Sequence, residues 1–405
     1  MKTRRGILVI LQNGPIEDDL RVQREIVALR DSNYQVSVIC PDVDCDKSKL
    51  DIDGIHFFRY PPPNPGNDFK SYVGEYLYSW IQTTKLSIKV YKEVGFDAIH
   101  ACNPPDIFFP LGIFYKAFRR KFVFDQHDLS PEMYLSRFSN TDPKLYKALR
   151  LFEYLTYKIA NMVIVTNDSY KSIASQRGKI SEEHIYVVRN GPYLRFSKPA
   201  AFNPELKMGH KFLICCMGQI APQDGVDYLI RAADYLINQK GRKDTCFALV
   251  GDGSSVEELK KMTEEMSIAE HIVFTGWIRD RELLRSYLAT ADICVSPEPK
   301  STFNEHSTFI KVLDYMSAGK PIIAFDLPET RFSAGEAALY AEPNSEIDLA
   351  DKIDALLSNE ELRHSMGKYG QKRVESMLLW EHSKPNLIKA YDNLFMKGKT
   401  VKVGT

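Results

Sequence analysis

CVSPEPKSTFNEHSTFIKVLDYMSAGKPIIAF, residues Cys294 to Phe325, reads as a strand ending near Ser296, a loop rich in Pro, Ser, Thr and Asn, one amphipathic helix and a second strand. Phe309, Val312, Leu313 and Met316 recur at i, i+3, i+4 and i+7, the stripe of a helix packed on a sheet. Ser307, Lys311 and Asp314 fall on another face at spacings of four and three, so they can act together. Gly319 suits the left-handed position just past a helix end, and Pro321 stops any continuation. A hydroxyl-rich loop at a helix N-terminus favours an anion, because the helix dipole and the unpaired amides both attract negative charge. Lys311 adds a full positive charge one turn in, and Asp314 offers an acceptor to a vicinal diol such as ribose. The constellation fits a nucleoside diphosphate. The plainer alternative makes Ser307 and Thr308 helix caps and leaves Lys311 and Asp314 as a solvated pair.

The rest of the chain supplies the context. Its 405 residues predict about two domains. With 44% hydrophobic and 26% charged residues it is globular, and its 53 basic against 53 acidic side chains leave no global field for nucleic acid. Any anion must be met locally. Seven scattered cysteines without CxxC spacing read as reduced, buried small hydrophobes of a cytosolic protein. The opening MKTRRGILVILQNGP has an apolar run too short for a signal peptide or a membrane span, and no later run is long enough either, so a soluble or peripheral protein is expected.

Gly6 to Leu11 is the expected first strand of a parallel α/β sheet, followed by the turn Gln12-Asn13-Gly14-Pro15, a helix from DDLRVQRE and a strand over Val36 to Cys40. Gly14 can bring backbone close to a ligand. GxGxxG is missing, which argues against a dinucleotide-binding oxidoreductase. After a strand at Ile55 to Arg59 the run Tyr60 to Gly66 is a loop, and a helix is predicted from about Phe69 to Val94. Its Tyr72, Tyr76, Leu77 and Trp80 are read as core rather than as a platform for a lipid-linked ligand. FDAIHACNPPD ends a strand near Ala101 with His100 and Asn103 at its C-terminal edge, where open parallel sheets bind ligands. A helix over Ile107 to Phe118 closes with Lys116, Arg119, Arg120 and Lys121, a basic cluster that suits anionic headgroups or the helix dipole. FVFDQ then delivers His127, Asp128 and Glu132 to another strand edge. A helix at Leu151 to Ala160 and strands at Met162 to Thr166 and Ile185 to Val188 complete the first half, and Tyr193 to Lys211 reads as a linker. The second half restarts the alternation with FLICCMG, and Gly218, Gly251 and Gly253 stand in its strand-to-helix loops. The domains expected are residues 1–198 and 205–379, with a helix at about 380–396 returning to the first.

In this order DDLRVQRE, FDAIHACNPPD, FDQHDLSPEMY, VVRNGP, MGQIAPQDGVDYL, LVGDG, FTGW and STFIKVLDYMSAGKPIIAF resemble a retaining glycosyltransferase of family 4, and the bacterial WbuB-like polysaccharide transferases within it. The resemblance covers nearly the whole chain. It implies the α/β GT-B fold, two Rossmann-like parallel-sheet domains facing a deep cleft. It also implies transfer of a sugar from a nucleoside-diphosphate donor, with a uridine-diphosphate sugar favoured, to a polyprenyl-diphosphate-linked glycan in surface polysaccharide synthesis, such as O-antigen or capsule. The protein would then work in the cytoplasm, peripherally at the inner face of the plasma membrane. Carried over by position, Asp314 holds the ribose, Ser307, Thr308 and Lys311 contact the diphosphate, Gly218 and Gln219 face the nucleotide, Gly251 and Gly253 lie near the base, His127 lies near the sugar and Gly14 lies under the phosphates. His127, Asp128, Lys311 and Glu305 are the expected catalytic set.

Three departures from the family pattern stand out. The first acid of its E-x7-E motif falls at His306, with Glu305 and Glu298 as substitutes. Its phosphate-loop Arg and Lys align with Gln219 and Asp224, which leaves Lys311, Arg189, Arg331 and the helix N-terminus to meet the leaving diphosphate. Asp314 is one methylene shorter than the usual Glu. No carboxylate pair reads as a glycosidase dyad. Asp42-Val43-Asp44 and Asp51-Ile52-Asp53 resemble a metal-binding DxD but fall outside these motifs, so they are taken as surface carboxylates and no cofactor or essential metal is expected. A nucleotide-sugar epimerase of the same fold and a catalytically silent binding subunit are the rivals.

Overall fold

FLICCM carries no polar residue on either face, and such a strand is stable only in a sheet covered on both sides. In the computed structural model, which describes residues 4–42, 49–63, 69–138, 141–192 and 201–396, this run is a central strand of one of two sheets. The side chains of 49–52 and 69–72 lie outside the described residues, as do 43–48, 64–68 and 193–200. The expectations for Asp44, Cys45, Asp51, Tyr72, the Asn64 to Gly66 loop and the start of the linker therefore fall outside it.

The first sheet contains β1 (Gly6–Ile10), β2 (Gln35–Pro41), β3 (Lys49–Ile52), β4 (Ile55–Tyr60), β5 (Ala98–Cys102), β6 (Lys121–Gln126), β7 (Met162–Val165) and β8 (Ile185–Val187) in the order β3-β4-β2-β1-β5-β6-β7-β8. All its pairings are parallel except β3 with β4, an antiparallel edge hairpin turned at Asp53 and Gly54, both with positive φ. That edge strand is not anticipated from sequence, because KLDI is too short and polar to announce itself. The second sheet contains β9 (Phe212–Met217), β10 (Thr245–Val250), β11 (Ile272–Gly276), β12 (Ile293–Ser296), β13 (Ile322–Phe325) and β14 (Ala338–Ala341), all parallel, in the order β11-β10-β9-β12-β13-β14. Strand order reverses at β1 in one sheet and at β9 in the other. Loops leaving the C-terminal ends of those strands and of their neighbours are where ligands bind in such sheets.

Alternation within β9 sends Ile214 and Cys216 into one apolar layer and Leu213, Cys215 and Met217 into the other. Each fully buried aliphatic side chain contributes about 1.5–3 kcal/mol, so a sheet covered on both faces dominates the stability of the unit. Cys40, Cys102, Cys215, Cys216, Cys246 and Cys294 are buried and unbonded, as the sequence implies.

The chain divides into two compact units, one of Met1–Leu135, Asn140–Arg189 and Glu381–Thr405, the other of Ser136–Ser139 and Asn190–Trp380. The last helix, Trp380–Met396, lies with the first unit, where Tyr34 donates to Asp392 at 3.0 Å and Asn393 to the Tyr186 hydroxyl at 2.9 Å. The helix expected from Leu151 instead runs Pro143–Ile159. Asp142 caps it by accepting from the Lys144 N–H at 2.8 Å, and proline occupies its first turn. Among the described residues no helix is long and apolar enough to cross a membrane.

The helix Phe69–Glu93 corrects the expectation that its large side chains are core. Ser79, Thr83 and Ser87, spaced by four, are fully buried, whereas Leu77 is 58% exposed and Tyr76 and Trp80 are half-buried. Small hydroxyl residues let the helix approach closely. Gln12 donates to Ser79 at 3.3 Å, and Ser87 bonds the Tyr115 hydroxyl at 3.1 Å.

Candidate functional site

The helix of the 294–325 stretch spans Ile310–Ser317 and buries Val312, Leu313, Tyr315 and Met316. Its N-cap is Phe309, and neither Ser307 nor Thr308 caps it. Ser307 donates to the Phe303 carbonyl at 2.9 Å, and Thr308 donates to Glu329 at 3.5 Å. Tyr315 accepts from the Met217 N–H at 2.8 Å and donates to the Val295 carbonyl at 3.3 Å, tying β9 and β12 to this helix. Asp314 is buried at 4% exposure.

Lys311 extends to the C-terminal end of β9. Its ammonium lies 2.6 Å from Glu298, which is itself buried and accepts from the Ser296 hydroxyl. Burial opposes the charge on Lys311, but Glu298 and then Asp224 more than offset it and raise its pKa. An ammonium carries three N–H donors. Beside it stands Gly218, with φ +129°, where a Cβ would lie 3.2 Å from Nζ and 3.1 Å from Cε. A side chain there would crowd the cation, so glycine lets the loop backbone run against Lys311. Gly251, φ +151°, cannot carry a Cβ, which would meet the Gly218 carbonyl at 1.8 Å, and a Cβ on Gly253 would meet the Ile220 carbonyl at 2.2 Å. These two glycines serve the apposition of the loops after β9 and β10, whose backbones bond through Ile220 N–H to the Asp252 carbonyl at 2.9 Å.

Other residues of the expected set are otherwise engaged. Glu305 pairs with Lys300 at 3.4 Å, and Glu298 is spent on Lys311, so the acid missing at His306 is not restored by a free carboxylate from either. Gln219 is exposed. Asp224 accepts from the Ala221 N–H at 3.1 Å, and burial, countered by Lys311 and reinforced by Glu298, pushes its carboxyl up to about 6. Arg331 is bidentate to Asp326 at 2.6 and 2.7 Å, and Arg189 pairs with Asp168 at 2.6 Å, so neither is an uncommitted cation. Lys311 is the cation that stands against the loop after β9.

In the first unit His127 follows β6, its backbone N–H donating to Asn103 Oδ1 at 2.6 Å, and Asp128 N–H donates to the same oxygen at 3.2 Å. Glu132, grouped with them in the sequence, is instead buried against Arg177 at 2.6 Å. The partner of His127 is Asp125, whose Oδ2 lies 2.5 Å from its Nε2. Arg21 reaches Asp125 Oδ1 at 2.8 Å, Glu25 at 3.0 Å and the Val188 carbonyl at 2.6 Å. His100 Nε2 lies 3.2 Å from Asp125 Oδ2 and 3.4 Å from Glu25. Burial alone would raise the Asp125 carboxyl, but Arg21, then His127 and His100, hold it well below the usual carboxylate range. Burial opposes charge on His127 too, and Asp125 outweighs that, raising its pKa. Burial drives the Glu25 carboxyl well up despite Arg21. The side chains of Glu25, His100, Cys102, Asp125 and His127 stand close enough in two sets to ligate an ion. The guanidinium of Arg21 already supplies the cation there.

Gly14 has nothing within 4 Å of its would-be Cβ and lines a cavity of about 220 Å³ with Gln12, Pro41, Asp42, Glu75 and Tyr76. Asp42 is an ion-pair partner of Arg59, not a solvated surface carboxylate.

Residues 211–359 match the family of glycosyl transferases group 1, and residues 21–193 match glycosyltransferase family 4. Both halves of the chain therefore match glycosyltransferase models. It is similar to a GDP-mannose-dependent α-(1-6)-phosphatidylinositol monomannoside mannosyltransferase of Mycobacterium tuberculosis, 27% identical over 46% of this chain and 50% of that one. Across the first curated relatives the chain spans half of the relative's length or less. Sucrose-phosphate synthase from Thermosynechococcus elongatus superposes with a TM-score of 0.79 at 17% identity, covering 97% of this chain and 100% of that one. Anabaena HepE in complex with UDP-glucose superposes at 0.69 and 15% identity, covering 96% and 99%. The fold is therefore GT-B.

Proposed function

We propose that the chain transfers a sugar, with retention, from a nucleoside-diphosphate donor, a uridine diphosphate sugar by preference, to a lipid-linked glycan acceptor. The observation that carries this reading is Lys311, a buried ammonium with N–H donors to spare beside the backbone of Gly218. A diphosphate oxygen seated there would meet a preorganised cation as charge develops on the leaving group. In the step itself the bond from the anomeric carbon to the phosphate oxygen breaks and a bond from the acceptor oxygen forms. The acceptor's proton passes to the departing phosphate oxygen. By the family resemblance His127 is the residue assigned to the donor sugar, and the reading includes no metal or other cofactor.

A lipid-linked acceptor is supported by the first unit's surface. Val73, Leu77, Ile81 and Ile88 are exposed on one helix, and Ile113, Phe114 and Phe118 on its neighbour, bordered by Lys116, Arg119 and Lys121. The two helices meet through Tyr91, Tyr115 and Phe118. Apolar side chains ringed by basic ones suit an anionic membrane face, and surface polysaccharide such as O-antigen or capsule is the pathway class this acceptor fits.

Product analysis with a panel of nucleotide sugars and a polyprenyl-diphosphate glycan tests the reading. Turnover with retained anomeric configuration, and a loss of about 10²–10³ in kcat for Lys311→Ala, are expected. Nucleotide binding without turnover would make the chain a silent binding subunit, and donor conversion without acceptor would make it an epimerase.

A further inference from the structure

We propose that Tyr391, on the last helix, and His100 form a positioning relay that fixes the ring orientation and the proton arrangement of His127 through Asp125. The proposal rests on the assignment of His127 to the donor sugar. Tyr391 is fully buried, and among the described residues its hydroxyl meets His100 Nδ1, at 2.6 Å. The two rings lie parallel, 3° apart with centroids at 6.2 Å. With Nε2 directed at a carboxylate, the neutral tautomer that satisfies both bonds has Nδ1 accepting from the Tyr391 hydroxyl, whose pKa burial raises further. His100 then carries its own proton on Nε2, aimed at Asp125 Oδ2 at 3.2 Å. The same oxygen receives Nε2–H of His127 at 2.5 Å, leaving Nδ1 of His127 as the edge open to a ligand.

Four elements feed this chain of bonds. Arg21 and Glu25 come from the helix Leu20–Asp31, with Asp19 at its cap; His100 and Cys102 come from β5; Asp125 and His127 from β6 and its loop; Tyr391 from the last helix. Nothing in such a cluster is needed for stability alone, because a buried ion network is no more stable than a well-packed apolar one. What it does supply is a single defined tautomer at the one member with an exposed edge, His127, whose side chain is 14% exposed.

Without the Tyr391 hydroxyl, His100 is free to move its proton to Nδ1. A lone pair then faces Asp125 and turns the carboxylate away, which weakens the Asp125–His127 bond, so the pKa of His127 falls towards its ordinary value.

The test uses the full-length chain with ¹⁵N-labelled histidine, the His127 resonance being assigned by its loss in His127→Gln. In the wild type, His127 should show a proton held on Nε2 and titrate above the ordinary histidine value. Tyr391→Phe should lower that pKa, move the pH profile of kcat with it, and lower kcat by roughly tenfold with donor KM unchanged. Asp125→Asn should do the same by about 10²-fold, the lower end of what a positioned proton-transfer group contributes. If Asp125→Asn fails to fold, Tyr391→Phe decides alone. A Tyr391→Phe variant that melts earlier but keeps the wild-type His127 tautomer, pKa and pH profile would overturn the relay. Full activity in His127→Gln would overturn the catalytic assignment of that residue while the resonance shifts still report the relay.

Discussion

Each unit buries a cation at the C-terminal ends of its strands, and the two are built in opposite ways. Lys311 and the helix that carries it come from one contiguous stretch, with Glu298 thirteen positions earlier as the counter-charge. Arg21 stands among Glu25, His100, Asp125, His127 and Tyr391, brought together from four elements at opposite ends of the chain. Lys311 keeps N–H donors beyond its bond to Glu298, whereas the guanidinium of Arg21 is fully spent on Asp125, Glu25 and the Val188 carbonyl. A cation with donors to spare is a binding group, and a cation with none is a scaffold for its neighbours.

That contrast breaks most readily in stability. Arg21→Ala strands Asp125 and Glu25 in the interior and should cost about 3–5 kcal/mol in urea unfolding, the range for removing one partner of a buried pair. A loss below about 1 kcal/mol would mean that Arg21 is not the scaffold described.

A smaller effect separates the two units' glycines. Gly251→Ala places a Cβ on the Gly218 carbonyl at a strained positive φ and should destabilise by upwards of about 1 kcal/mol, displacing the Gly218 loop from Lys311 as well. Gly14→Ala meets open space and should melt like the wild type. Equal melting temperatures for the two variants would remove the argument that the loops after β9 and β10 need glycine to meet.

The smallest effect is a pH dependence of the second unit at Lys311. Asp224 has its pKa raised from 3.8 to about 6, so the fold favours its protonated form; the stability this contributes is present below 3.8 and is lost as pH rises through about 6. Its ionisation also adds a negative charge close to Lys311. Diphosphate affinity, measured by calorimetry, should therefore weaken about three- to tenfold between pH 5 and 7, and Asp224→Asn should flatten the curve and tighten binding at pH 7. A steeper dependence in Asp224→Asn would place the titrating group elsewhere.

Much of the second unit is legible because its signals are local. The run FLICCM, the i, i+3, i+4, i+7 stripe of the 310–317 helix and the glycines at 218, 251 and 253 each encode a backbone geometry over a few residues, and spacing along the chain reports such geometry directly. The role of those glycines is less legible: the family resemblance puts Gly251 and Gly253 near a base, and what they do in the fold is let two backbones meet. The inward face of the Phe69–Glu93 helix escapes a reading that takes size as the mark of core. The regular recurrence of Ser79, Thr83 and Ser87 at intervals of four is the available signal.

By itself, the sequence determined two parallel α/β sheets, where most of their strands begin and end, and the placing of Lys311 on a helix face next to a loop that favours anions. All of these follow from periodicity and short-range sterics. Only the tertiary structure decided which charges are spent and which remain. Glu298 on Lys311 and Arg177 on Glu132 are pairings set by the docking of loops and helices, and the balance between Coulomb attraction and desolvation that gives each its value exists only once the partners are buried side by side. Asp125 is the clearest case: in the sequence it is one polar residue in an apolar strand, and in the fold it accepts from Arg21, His100 and His127 at once.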